Sequence, residues 1–138
     1  MTDAGELPPE VRNLLSQQVR SIEELEALLR VRAEPTRSWS AAEVGTAVGV
    51  GADAAREALE ELAANGLIAA SNASPLTFHY APREPKLAAV VDLLAEAYAT
   101  HRVEVLVLIS KSAMSRVRRG ALRTFSEAFR LRGPKKDG

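Results

Sequence analysis

The chain has 138 residues, 46% of them apolar and 26% charged, and its formal net charge is zero, a composition that fits one packed domain with short appendages. It contains no cysteine, which excludes a disulfide framework, a thiolate nucleophile and a cysteine-based zinc site and fits a reducing compartment. The stretch Met1-Thr2-Asp3-Ala4-Gly5-Glu6 carries acids and no apolar core, and no apolar run approaches the length of a membrane span, so the expectation is a soluble, cytoplasmic protein with no membrane partner.

The first element is a helix within residues 1–20, opened by Pro8-Pro9 and bearing Val11, Leu14, Leu15 and Val19 on one side. Ser21-Ile22-Glu23-Glu24 has the spacing of a capping box, in which serine and glutamate each satisfy a free amide of the other's turn. It starts a second helix with Ile22, Leu25, Leu28 and Leu29 inside, and Glu34-Pro35-Thr36-Arg37-Ser38 is the exit loop. Trp39, the only tryptophan, is expected to pack at the domain's edge.

Ser40-Ala41-Ala42-Glu43 is another capping box, so a third helix starts at Ala41 with Ala42, Val44, Ala47 and Val48 on its apolar face. Gly49-Val50-Gly51 supplies the backbone freedom of a sharp turn. A fourth helix follows from Ala52, with Ala55, Ala58, Leu59 and Leu62 in one buried stripe and Asn65-Gly66 closing it. Leu67–Ala70 and Leu76–Tyr80 read as two strands joined by Ser71-Asn72-Ala73-Ser74-Pro75, a hairpin by composition.

The residues Trp39-Ser40-Ala41-Ala42-Glu43-Val44, Ala58-Leu59-Glu60-Glu61-Leu62 and Asn65-Gly66-Leu67-Ile68 give residues 21–82 a pattern that resembles the winged helix domains of bacterial transcription regulators of the MarR and PadR kind. The resemblance implies a DNA-binding module, a winged helix-turn-helix with duplex DNA as partner, the second helix of the pair in the major groove and the wing against the backbone. With the helices that follow, the fold class expected is mainly α with a small β-hairpin wing, the winged helix-turn-helix plus long C-terminal dimerisation helices.

The exposed positions of that second helix are Asp53, Ala54, Arg56, Glu57, Glu60 and Glu61, four acids against one base. Among phosphates this face is repelled, because phosphate binding rests on Lys and Arg releasing counterions. Arg56 and, in the wing loop, Asn72 are the DNA-binding candidates within the domain. Asp53, Glu57, Glu60 and Glu61 are candidates for a basic protein partner instead.

After the wing, residues 83–110 read as one long helix entered at Pro85, in which Leu87, Val91, Leu94, Tyr98, His101, Val105 and Leu108 step by four and three in the manner of a coiled-coil seam. With Val90, Ala97, Val103 and Val107 the stripe widens, so the leading expectation is a homodimer through this seam, the alternative being a monomer whose C-terminal helix folds back over it. Residues 111–138 hold nine bases against two acids, a net of +7 that leaves −7 on residues 1–110. Met114, Val117, Ala121, Leu122, Phe125, Ala128 and Phe129 mark an amphipathic helix over about 113–131, ended by Gly133-Pro134. Its Arg116, Arg118, Arg119 and Arg123 are further DNA-binding candidates, or else the solvated face of a packing helix.

Chemistry has little support in the sequence. His79 and His101 show no metal spacing, no nucleophile elbow or phosphate loop occurs, and consecutive acids such as Glu60-Glu61 point apart on a helix. No catalytic residue, metal or cofactor is expected. Two functions stand: a dimeric, DNA-associated regulator with weak sequence readout, or a winged helix that has lost DNA reading and serves as a protein interaction module in regulation.

Overall fold

The computed structural model describes residues 7–111. Among these the chain is mainly helical with one small antiparallel hairpin: α1 (Pro9–Gln17), α2 (Ile22–Ala33), α3 (Ala41–Val48), α4 (Ala52–Ala64), β1 (Ile68–Ala70), β2 (Phe78–Tyr80), α5 (Pro85–Thr100) and α6, which runs from 102 to the last described residue, 111. None of these helices is long and apolar enough to cross a membrane.

Local chemistry sets the helix ends. Ser40 accepts from the Glu43 amide at 3.1 Å while the Ser40 amide donates to Glu43 Oε1 at 2.9 Å, the full capping box. At α2 the exchange is shifted by one residue. Ser21 accepts from the Glu24 amide at 3.0 Å, but Glu24 Oε1 takes the amide of Arg20 rather than that of Ser21. At the end of α4 the Gly66 amide donates to the Ala63 carbonyl and the Leu67 amide to the Leu62 carbonyl, with Gly66 left-handed at φ +79°, a Schellman closure.

The turn between α3 and α4 folds back onto α3. Gly49 is left-handed at φ +83°, and both its amide and that of Val50 donate to the Gly45 carbonyl at 2.8 Å. A Cβ on Gly45 would stand 2.7 Å from the Val50 carbonyl oxygen, so a helix-interior glycine, costing about 1 kcal/mol relative to Ala, is imposed by the close approach of the turn. The apolar face of α3 differs from expectation at one position. Val44 is buried and Ala47 and Val48 are half-buried, but Ala42 is exposed, on a shallow surface depression it lines with Arg37 and Trp39.

α2, α3 and α4 pack on one another, and the hairpin closes against α2 and the end of α4. Ile68 pairs with Tyr80, Ala69 with His79 and Ala70 with Phe78. On the other edge of β2, Trp39 and Phe78 exchange two backbone hydrogen bonds of 2.8 Å. The segment entering α3 thereby becomes a third rung beside the hairpin. Trp39 is buried, as is Phe78, and Val44, Leu59, Leu62 and Leu67 belong to the same core.

The single long helix expected over 83–110 is not formed. α5 ends at Thr100, and His101, at φ −131° and ψ 52°, lies outside helical geometry. Its amide donates to the Ala97 carbonyl at 2.6 Å and its carbonyl accepts the Val105 amide at 3.1 Å, so one residue closes α5 and opens α6. The Thr100 hydroxyl donates back to the Glu96 carbonyl at 2.9 Å, a bond that bends helices. A straight helix from 85 to 111 would be about 40 Å long, against a radius of gyration of about 13 Å for a domain of this size. The break returns its second half to the core.

The seam residues are redistributed accordingly. Val91, Leu94 and Val105 are fully buried in the chain's own core with Ala97 and Ile109, and Leu87, Tyr98 and Leu108 are half-buried against it. His101 sits at the break. These seven positions therefore do not make one continuous outward seam. Residues 112–138, including the amphipathic stretch 113–131, lie outside the described residues.

Leu94→Ala is expected to cost about 2–5 kcal/mol in chemical denaturation, since it leaves a cavity in that core. Gly45→Ala should cost about 1–3 kcal/mol despite alanine's better helix propensity, because the added methyl overpacks against the turn.

Candidate nucleic-acid interface

The exposed face of α4 carries Asp53, Arg56, Glu57, Glu60 and Glu61 as the spacing of its buried stripe requires: Ala55, Ala58, Leu59 and Leu62 all point inward. Arg56, the only base on the face, lies with Nε 3.9 Å from Glu60 Oε2, one turn ahead on the same helix. Both side chains are more than half exposed, so the pair adds little stability. It does place a carboxylate beside the one guanidinium on this face. Asp53 stands in the first turn of α4, where the N-cap Gly51 offers no side-chain acceptor. An acid there favours the helix through the partial positive charge of its free amides.

Glu57, Glu60 and Glu61 do not stand alone. With Ser21, Glu23 and Glu24 of the α2 start they line an open groove of about 690 Å³ between the two helices. Glu23 and Glu24 were read from the sequence only as part of a cap. Their approach to α4 comes from the α2–α4 packing, which no local pattern encodes. Asp53 is outside the groove lining.

Asn72 is exposed in the hairpin loop. The loop is held by Ser71, whose hydroxyl oxygen accepts from the amides of Ala73 (3.3 Å) and Thr77 (3.1 Å). Residues 71–77 contain no Lys or Arg, so the loop offers phosphate only polar side chains and amides. Arg116, Arg118, Arg119 and Arg123 lie outside the described residues.

Two clusters absent from the sequence reading tie the C-terminal helices to α2. The Tyr98 hydroxyl donates to Glu26 Oε2 at 3.0 Å, and Arg102, at the start of α6, reaches the same oxygen at 3.8 Å while its guanidinium sits 4.5 Å from the Tyr98 ring centre. Arg32 meets Asp92 Oδ1 through Nε and Nη2, at 3.2 and 2.8 Å. Tyr98 is thus committed to α2. Arg37, flanked by Glu34 and Glu43 at 3.7 and 3.9 Å, stacks 3.6 Å from the centre of the Trp39 ring. No group of three or more potential metal ligands occurs among the described residues.

Both tyrosines in this region titrate above their ordinary value. For Tyr98 burial is the main cause, with the hydrogen bond to Glu26 and its charge adding and Arg102 opposing. For Tyr80 burial again leads, opposed by the charge of Arg32, with Asp92 adding.

Set against known family models, curated proteins and solved structures, the chain matches none.

A raised folded-state tyrosine pKa stabilises the fold in full below the unfolded value of about 10, and that stability is lost as pH rises through and above it. Denaturation midpoints should therefore fall on the alkaline side. Tyr98→Phe should lessen the slope, and an equal slope in both proteins would separate Tyr98 from it.

Proposed function

We propose that the chain is a non-enzymatic regulatory protein of the winged helix kind, associated with DNA through bases that lie outside its α3–α4 pair. The order α2, α3, glycine-bearing turn, α4, hairpin supports the kinship, and kinship at the level of fold is analogy where function is concerned. The observation that carries the particular form of the proposal is the α4 face, where Arg56 is engaged by Glu60 and Asp53, Glu57 and Glu61 stay exposed. A helix so charged gains nothing from phosphates and presents no second base to a guanine edge. DNA affinity then falls to Arg116, Arg118, Arg119 and Arg123, within a segment of net charge +7. Such binding is weak in sequence readout and steep in salt.

The groove between α2 and α4 favours a second reading, an interaction module in which Glu23, Glu57, Glu60 and Glu61 steer a basic protein.

A titration of labelled nonspecific duplex against salt separates the two. Changing Arg116, Arg118, Arg119 and Arg123 together to Gln is expected to abolish retention, and Arg56→Gln to leave it unchanged; the opposite result would show α4 reading DNA directly. Under the second reading neither protein binds duplex, and charge reversal at Glu57, Glu60 and Glu61 eliminates capture of a basic partner.

A further inference from the structure

One face of α2 looks toward the helices that follow the hairpin. Glu26, Leu29, Arg30 and Ala33 lie at the three- and four-residue spacing that puts side chains on one side of a helix. Together with Val48 at the end of α3 and Tyr98 and Arg102 beside the α5–α6 break, they line a cleft of about 400 Å³, within the roughly 300–1,000 Å³ of small-molecule sites.

Glu26 stands one turn before Arg30, the arrangement in which a glutamate and an arginine of one helix ordinarily pair. Here they do not. Glu26 Oε2 instead accepts from the Tyr98 hydroxyl at 3.0 Å and faces Arg102 at 3.8 Å. Arg30 is left with one long hydrogen bond, 3.4 Å from Nη2 to the Ala47 carbonyl, and no ion pair among the described residues. Two guanidiniums therefore share one carboxylate, and the lining carries one positive charge in excess. The groove that α2 forms with α4 has the opposite sign, with five glutamates and no base.

The rest of the cleft is aliphatic: Leu29 and Val48, both half-buried, and Ala33. Its one aromatic ring, that of Tyr98, already has the Arg102 guanidinium 4.5 Å from its centre. A matching occupant brings one negative charge on a planar head that guanidinium N–H groups grip in pairs, and an aliphatic body. A nucleic-acid phosphate supplies the charge without the body and would leave Leu29 and Val48 in water. An aromatic acid finds no free ring on which to stack.

We propose that this cleft binds a small aliphatic carboxylate, a fatty acid of medium chain length, whose head takes the place of Glu26 as counter-ion of Arg30 and is shared with Arg102. This inference goes beyond the regulatory reading and does not rest on it, since it is tested without nucleic acid.

Calorimetric titration of the full chain with octanoate is expected to show one site per chain. Acetate, which lacks the body, and octanamide, which lacks the charge, should each bind at least about tenfold more weakly. Arg30→Gln and Arg102→Gln should each weaken octanoate by about tenfold or more, with the helical signal kept because both side chains are exposed. Arg12→Gln, at an exposed site on α1, should bind as the wild type does. Glu26→Gln withdraws the cleft's own carboxylate and should tighten binding. A wild type that takes up no octanoate at millimolar concentration overturns the proposal, as do acetate or octanamide binding equally well, or an octanoate affinity indifferent to both cleft arginines.

Discussion

The relation between α3 and α4 depends on the backbone of residues 49–51 lying directly against Gly45. Any side chain there would meet the Val50 carbonyl, so the turn would open and α4 would rotate relative to α3 and α2. The α4 stripe of Ala55, Leu59 and Leu62 fills the core only at one rotation, and that rotation sets which residues remain outside. The acidic face of α4 and its groove with α2 are consequences of a glycine that touches neither.

A second constraint is the exchange between Trp39 and Phe78. The two hydrogen bonds fix the entry to α3 against β2, while β2 is fixed to β1 and β1 follows the Schellman closure of α4. The hairpin is therefore anchored at both ends of the α3–α4 pair. Two short strands alone would be marginal in water; the added rung and the burial of Phe78 against the helices supply what the pair lacks. Trp39 is buried here as part of the backbone pairing, and Arg37 lies over its ring.

What could be read from the sequence was what neighbouring residues decide. Ser40 and Glu43 cap α3 because both partners lie within one turn, and Gly66 goes left-handed because its own lack of a Cβ permits it. The α4 stripe was legible for the same reason, a spacing fulfilled within one helix. His101 was not. Nothing local forbids a helix through Thr100-His101-Arg102, and the four-three spacing continues across it. The break follows from the size of the core, which accepts Val91 and Leu94 from one half and Val105 and Ile109 from the other. Periodicity located the apolar residues correctly but could not tell a core from a second chain as their destination. Glu23 and Glu24 were missed as neighbours of Glu57 and Glu61 because that pairing is a tertiary fact, and likewise Glu26 with Tyr98 and Arg102.

Charge segregation bears on both functional readings through its range. A carboxylate about 6 Å from a phosphate in water is opposed by roughly 0.7 kcal/mol, so the four acids of α4 laid along a groove would cost a few kcal/mol, against which one paired arginine offers little. At physiological salt the Debye length is about 8 Å, and a basic segment held further than that from α4 would bind phosphate with little interference from it. The same acids would then act as a local veto on one orientation of the domain, keeping α4 off the duplex while bases elsewhere approach it. Raising salt weakens the attraction and the veto together. Any sequence preference introduced by α4 would therefore emerge only where overall affinity is already low.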